Sequence, residues 1–290
     1  MTTIIETQRK LPFPVIRSLV EVYYDFQQQR IITSNRIYGN VEQKNITEEE
    51  LEEFGVGQLF KKAESFETDI KTILTQEIKK HNIYSSYLKH VYGIGPIITS
   101  GLIAYIEDVQ KFDNISKLWQ YAGFGMNTFC PKCDQPTYQE VEIKKRDGKT
   151  TKAKRQRPYK FCPDCSNATF PVRQRRYSGF QSNWNDKFKV LCWKIGQSFL
   201  KQKATKSGYR RLYDQFKAEY RLKFPEKIKV DGKTKYNDGH IHNMALRKVA
   251  KTFLAHVWLQ WRAIDGLSTD LPYSLTVQGH TGIIKPIFDR

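Results

Sequence analysis

No apolar run in this 290-residue chain approaches the roughly 18 residues that a membrane-spanning helix requires. A helical membrane protein is therefore excluded, and no membrane partner is expected. The first residues, MTTIIETQRKLPFP, lack the basic, then apolar, then small order of a secretory leader. The expected compartment is the reducing cytoplasm. Internal repeats and low-complexity segments are absent, and the length allows one to three globular domains. Acid is also in short supply: 30 Asp and Glu face 48 Lys and Arg, a net charge of +18. So large a cationic excess implies a polyanionic partner. Nucleic acid fits best, because 16 Tyr, 17 Phe and 5 Trp are interleaved with the charge. An anionic membrane surface fits less well, since no basic amphipathic anchor stands out.

Helical spacing dominates what is present. Ile16, Leu19, Val20, Tyr23 and Phe26 mark a helix from Pro14 to about Ile37, stopped by Gly39-Asn40. Its polar Gln27-Gln28-Gln29 patch fits a long exposed helix paired in a coiled coil, and so a homo-oligomer. A single core-facing helix fits it equally. Thr47-Glu48-Glu49-Glu50 reads as a capping box opening a second helical region. There Phe66, Ile70, Ile73, Leu74 and Ile78 carry the stripe to about Lys80. Helical pattern returns with Phe188, Leu191, Cys192, Ile195 and Phe199, then with Leu212, Phe216 and Tyr220, and last with Leu246, Val249, Phe253, Val257 and Trp261. A loop, KFPEKIKVDGKTKYNDGH, joins the last two, and beyond Gly266 the chain shows no period.

Between Cys130 and Cys165 the pattern changes to turn residues, Thr, Tyr, Val and charge. Cys130-Pro131-Lys132-Cys133 and Cys162-Pro163-Asp164-Cys165 are two CxxC knuckles 28 residues apart. One such turn places two thiolates on one side of an ion, and the second closes the tetrahedron, the ligand set of structural zinc. Disulfides conflict with a reducing compartment, and a thioredoxin-like redox motif needs a βαβ context that is missing. A metal here would supply folding free energy to a segment with little apolar core. Between the knuckles, KKRDGKTTKAKRQRPYK (144–160) holds nine basic residues and one acid, with a hairpin signal at Asp147-Gly148. Lys144, Lys145, Arg146, Lys152, Lys154, Arg155 and Arg157 are candidate phosphate contacts, extended by Arg173, Arg175 and Arg176. A solvated loop is the competing reading. Cys192 falls on an apolar face and reads as core.

The stretch HVYGIGPIITSGLIAYI (90–106) sets Gly93 and Gly95 one residue apart, with Pro96 at the first helical position. Lacking Cβ atoms, Gly93 and Gly95 let main-chain amides approach a ligand oxygen, and the following helix adds its positive end. That is how a helix-hairpin-helix module grips a phosphate without reading bases. A plain turn in a core reads equally well from GxG alone.

The longer segment VYGIGPIITSGLIAYIEDVQKFDNISKLWQYAGFG resembles the C-terminal domain of DEDD-type insertion-sequence transposases, relatives of the Piv pilin-gene invertase. The carriers are Gly93-Ile94-Gly95, Glu107-Asp108, Phe112, Leu118 to Phe124 and, upstream, TSNRIYG. Ser178-Gly179 stands where that family has an SG pair. Either NDKFKVLCWKIGQSFL or NMALRKVAKTFLAHVWLQW is similar to its closing helix. The likeness covers about residues 12–126, is fragmentary over 178–262 and stops at the cysteine segment. It implies DNA binding in transposition and recombination, with Ser178 as the counterpart of the family's DNA nucleophile and a structured guide RNA as a second partner. The family's ribonuclease-H-like domain, whose acidic tetrad holds divalent metal, has no counterpart here. Mg2+ chemistry would therefore need a nuclease domain supplied in trans, and whether the chain is an enzyme stays open. A DNA- or RNA-binding factor of a plasmid or virus that lost the chemistry is the alternative.

His240, His242 and His256 lack ligand-spaced partners and read as capping or core residues. Arg247, Lys248 and Lys251 form a basic face on the last helix. The expected fold is mainly α, with an inserted β zinc ribbon. Its segments are long N-terminal helices (1–90), a helix-hairpin-helix (91–128), the ribbon with its basic hairpin (129–172), a C-terminal helical region (173–265) and an irregular tail (266–290).

Overall fold

The computed structural model describes residues 9–37, 39, 47–53, 55–144, 148–230, 233–269 and 284–290. The described chain is mainly helical with small sheets, and it divides into two units, residues 1–89 with 94–107 and residues 90–93 with 108–290. The division falls inside the 91–128 segment.

In the first unit α1 (Phe13–Ile37) packs on α3 (Val56–Ile78) and α5 (Pro96–Ile106). Ile16 and Val20 of α1 meet Ile70 and Leu74 of α3 and Ile97 and Ala104 of α5 in one buried cluster. Each fully buried aliphatic side chain of this kind contributes about 1.5–3 kcal/mol. The apolar stripe named from the sequence faces this core: Ile16 and Val20 are buried in it, and Leu19, Tyr23 and Phe26 pack against it. Phe66, placed in the stripe by its spacing, is instead 53 % exposed and stacks on Phe26 with centroids 5.0 Å apart. The capping box forms as read: the Thr47 amide donates to Glu50 Oε2 at 2.7 Å and the Glu50 amide donates to Thr47 Oγ1 at 3.2 Å, opening α2 (Glu48–Glu53). A short α4 (Asn82–Ser86) follows. Arg17 donates to the Ala104 carbonyl at 3.3 Å and pairs with Glu107 at 2.6 Å, closing the C-terminal turn of α5.

The second unit has its core between α7 (Asp186–Leu200), α8 (Gly208–Lys223) and α9 (Asp238–Ile264), with α6 (Ile115–Tyr121) against α9. Phe188, Ile195, Phe199, Tyr209, Phe216, Val249 and Phe253 are almost wholly buried there. Cys192 is buried too, and burial pushes its thiol well up, as expected of a core cysteine. Polar residues start these helices: Asn114, Asn185, Ser207 and Asn237 each accept from an amide in the first turn of the helix that follows. The segment read as a loop between the last two helices contains a short hairpin, β7 (Ile228–Val230) paired with β8 (Lys233–Lys235). Asp231-Gly232, the sequence between these strands, is the same turn signal as in the ribbon and lies outside the described residues.

Residues 284–290, which sequence left without period, are bound to this unit. Asp289 accepts from the Gly208 amide at 2.7 Å and from the Tyr92 amide at 2.8 Å, so its charge lies at the positive end of α8. The Asp289 amide returns a bond to the His90 carbonyl at 2.8 Å. His256 Nε2 donates to the Ile284 carbonyl at 2.8 Å, which leaves Nδ1 as the acceptor of the Tyr209 hydroxyl at 2.5 Å. The ring is therefore held neutral, and burial lowers its pKa from 6.5 to about 4. Between these values the unfolded chain takes up a proton that the folded one refuses. Stability is thus fully present above about pH 6.5 and is lost as the pH falls toward about 4, by about 3 kcal/mol at most. His256→Gln is expected to show a flatter dependence of Tm on pH across this window than the parent, read by thermal melts.

Candidate metal centre and nucleic-acid interface

The cysteine segment forms two small sheets. β1 (Met126–Cys130) pairs with β2 (Gln135–Pro136) and with β5 (Phe170–Arg173). β3 (Tyr138–Lys144) pairs with β4 (Thr150–Gln156), which also meets β6 (Phe180–Gln181). Cys130 ends β1, the first knuckle turns into β2, and the second knuckle is drawn back by the Cys162 amide donating to the Asn167 carbonyl at 2.8 Å. Each knuckle is followed by a residue in the left-handed region, Asp134 (φ 50°) and Ser166 (φ 56°).

The turns bring the four sulfurs of Cys130, Cys133, Cys162 and Cys165 within 4.8 Å of one another. Cys130 and Cys165 stand 3.5 Å apart, and Cys133 and Cys162 3.8 Å. A disulfide would need about 2.05 Å, and all four are free thiols. Four sulfurs about 2.3 Å from a tetrahedral ion lie about 3.8 Å apart, so the quartet fits a metal ion closed on all sides. A hydrogen bond from the Asn167 amide lowers the Cys165 thiol to about 7, leaving that ligand about half ionised at neutral pH. Lys132 and Asp134 beside the first knuckle are exposed.

The candidate phosphate contacts are spread over several faces. Lys144, Lys152, Lys154, Arg155 and Arg157 are exposed, and Lys145 and Arg146 lie outside the described residues. Pairing register sets Glu142 opposite Lys152 and Glu140 opposite Lys154. Side chains alternate between faces with period two, so Lys144, Lys152 and Lys154 share one face with Glu140 and Glu142, and Arg155 points to the other. Lys154 Nζ sits 4.5 Å from the Tyr138 ring centroid, Arg155 reaches Gln181 at 3.4 Å, and Arg157 donates to Gln139. Arg173 is exposed at the end of β5. Arg175 lies 4.6 Å from the Tyr177 ring, and Arg176 pairs with Asp186 at 2.8 Å.

Gly93 takes φ 91°, and a Cβ there would stand 3.3 Å from Phe199, Gln202 and the Ser198 carbonyl. Its own carbonyl accepts from Ser198 Oγ at 2.5 Å. Gly95 is exposed, has ordinary extended backbone and caps α5 with no side chain over the helix start, and Pro96 follows at the first position. Ser178 is exposed in the turn before Gly179, and among the described residues no base hydrogen-bonds its hydroxyl.

Comparison of the chain with protein-family models, with curated proteins and with solved structures finds no match.

Sequence reasoning missed the side chains that fasten the ribbon to the helices. Asn127 of β1 and Gln156 of β4 are each 1 % exposed and joined at 2.7 Å. Asn183 exchanges bonds with Asn127 at 2.9 and 3.2 Å. Gln174 donates to Asn183 and to the Gln120 carbonyl, both at 3.1 Å, and accepts from the Gly125 amide at 2.7 Å. Gln156 Nε2 finishes the chain on the Arg175 carbonyl at 3.1 Å. A signal existed for one of them: Gln156 stands between Arg155 and Arg157, where no amphipathic pattern accounts for an amide. Replacing Gln156 with Leu leaves Asn127 Nδ2 with a single weaker acceptor and strips the Arg175 carbonyl of its donor. The expected cost is roughly 2–4 kcal/mol, read as a lower denaturation midpoint.

Proposed function

We propose that this chain is a transposase-like nucleic-acid-binding protein of a mobile genetic element, holding phosphate backbones through a zinc-pinned cationic ribbon and the Gly93–Gly95 turn. The observation that carries the reading is the closed quartet of cysteine thiols at the base of a strand pair rich in Lys and Arg, in a chain of net charge +18. Four sulfurs with no open position make zinc a folding element here and leave no site for hydrolytic chemistry on the ion. Structural zinc at Cys130, Cys133, Cys162 and Cys165 would hold the ribbon ends, while the cationic strand β4 meets phosphates without reading bases.

The resemblance to the C-terminal domain of DEDD-type transposases supports DNA as the substrate of binding, with a structured guide RNA as second partner and a nuclease domain acting in trans. A binding factor without chemistry is favoured by one observation, the exposed Ser178 hydroxyl with no base beside it. In that reading Ser178→Ala leaves recombination in cells unchanged, whereas a nucleophile at this position predicts its loss.

Purified protein is expected to carry one zinc per chain by metal analysis, and Cys165→Ser or chelation is expected to release it and lower Tm. Binding to duplex DNA, branched DNA and structured RNA is expected to weaken steeply with salt, log K falling linearly with log salt. A metal-free preparation, or indifference to all three polynucleotides at low ionic strength, contradicts the proposal.

A further inference from the structure

Away from the ribbon, three cations converge on the short segment that ends α6. Lys251 of α9 places Nζ 4.0 Å from the Trp119 ring centroid, and the Trp119 indole N–H donates to the Lys251 carbonyl at 3.0 Å. Arg247, one turn earlier on α9, lies 5.4 Å from the Phe124 ring. Lys189 of α7 stands 4.5 Å over Trp184, and its stem runs against Gly123. Gly123 takes φ 74°, which favours glycine, and a Cβ there would come within 2.7 Å of Lys189 Cδ and 3.0 Å of Trp184, so a side chain would also displace the lysine stem.

All three cations are partly buried, and among the described residues none has a carboxylate at ion-pair distance. Asp186 favours the charge on Lys189 but is itself paired with Arg176. The neighbours that act on them are mostly cations. Burial, then Arg247, lowers Lys251; burial, then Arg173, lowers Arg247; burial, then Arg247, lowers Lys189. Like charges held together in a half-desolvated place strain the folded protein, and an arriving anion relieves that strain. The rings beneath fix the cations in place, so little side-chain freedom is lost on binding.

We propose that Lys189, Arg247 and Lys251, with Arg173 at the edge, form a phosphate seat on the Trp119–Phe124 segment that takes a phosphodiester of a polynucleotide. The proposal rests on the nucleic-acid reading above and places its main contact outside the ribbon. The rings are already covered by cations, so the seat binds charge and leaves bases unread.

The test compares Lys251→Gln, Arg247→Gln and the double variant with Lys248→Gln, a lysine of the same helix that pairs with Glu219 of α8 at 2.9 Å. Probes are labelled duplex DNA, labelled structured RNA and inorganic tripolyphosphate. Each single seat variant is expected to bind polynucleotide about tenfold more weakly and to reduce the slope of log K against log salt by about one, and the double variant by about two. Lys248→Gln should change affinity less than about twofold, consistent with a paired surface lysine. Without ligand, the seat variants should melt at or above the parent Tm, because like charge has been removed. A merely structural cation–ring role predicts a lower one. If the parent binds polynucleotide and the variants bind equally with the same slope, the seat is wrong and the nucleic-acid reading stands. If the parent ignores polynucleotides but tripolyphosphate raises its Tm and not that of the variants, the seat stands as a free-polyphosphate site and the nucleic-acid reading falls. No effect from any probe overturns both.

Discussion

A strand segment with almost no apolar interior must be held by something other than the hydrophobic effect, and the ribbon depends on that constraint throughout. Among its described residues the buried side chains are Cys130, Cys162, Thr137, Asn127, Gln156 and the small ring of Pro136, which together contribute little apolar burial. At one end, four thiols form a closed set of soft donors. At the other, Asn127, Gln156, Gln174 and Asn183 satisfy one another and nearby main-chain groups. Such a network is stabilising only when complete, because a single lost partner leaves a buried amide group unpaired. The geometry of every candidate contact on β3 and β4 follows from these two anchors.

Charge is organised differently from the way the sequence presents it. The run 144–160 is basic along the chain, yet Glu140 and Glu142 stand across the strand pair from Lys154 and Lys152. The local field there is lower than a linear count implies. In the helical body the reverse holds. Lys189, Arg247 and Lys251 are scattered over more than sixty positions of sequence, but they gather where, among the described residues, no carboxylate stands at ion-pair distance from them. A count of charge along the chain overrates the first and overlooks the second.

The glycines separate in the same manner. Gly93 and Gly95 look alike in GIG, but only Gly93 combines positive φ with close packing, against the end of α7, while Gly95 is an exposed cap. Gly123 shares that combination, with positive φ and a lysine stem close by. The aperiodic residues 284–290 also find a defined place, because Asp289 and the Ile284 carbonyl meet amide and imidazole donors that are remote in sequence.

Local chemistry was enough to read the mainly helical class, the Thr47–Glu50 capping box, the proline-started α5, the buried Cys192 and the cysteine quartet. Each of these is written in residues close together, in a helical period or in a repeated turn, and neighbours along the chain dictate such features. Sequence gave no hold on the amide network, the exposure of Phe66, the acids facing the basic strand, the β7–β8 hairpin's pairing or the grouping of Lys189 with Arg247 and Lys251. Those depend on strand register and helix packing, which set residues tens to more than a hundred positions apart within hydrogen-bonding or Coulomb range. A linear pattern carries period and composition, and only the folded chain decides which faces meet.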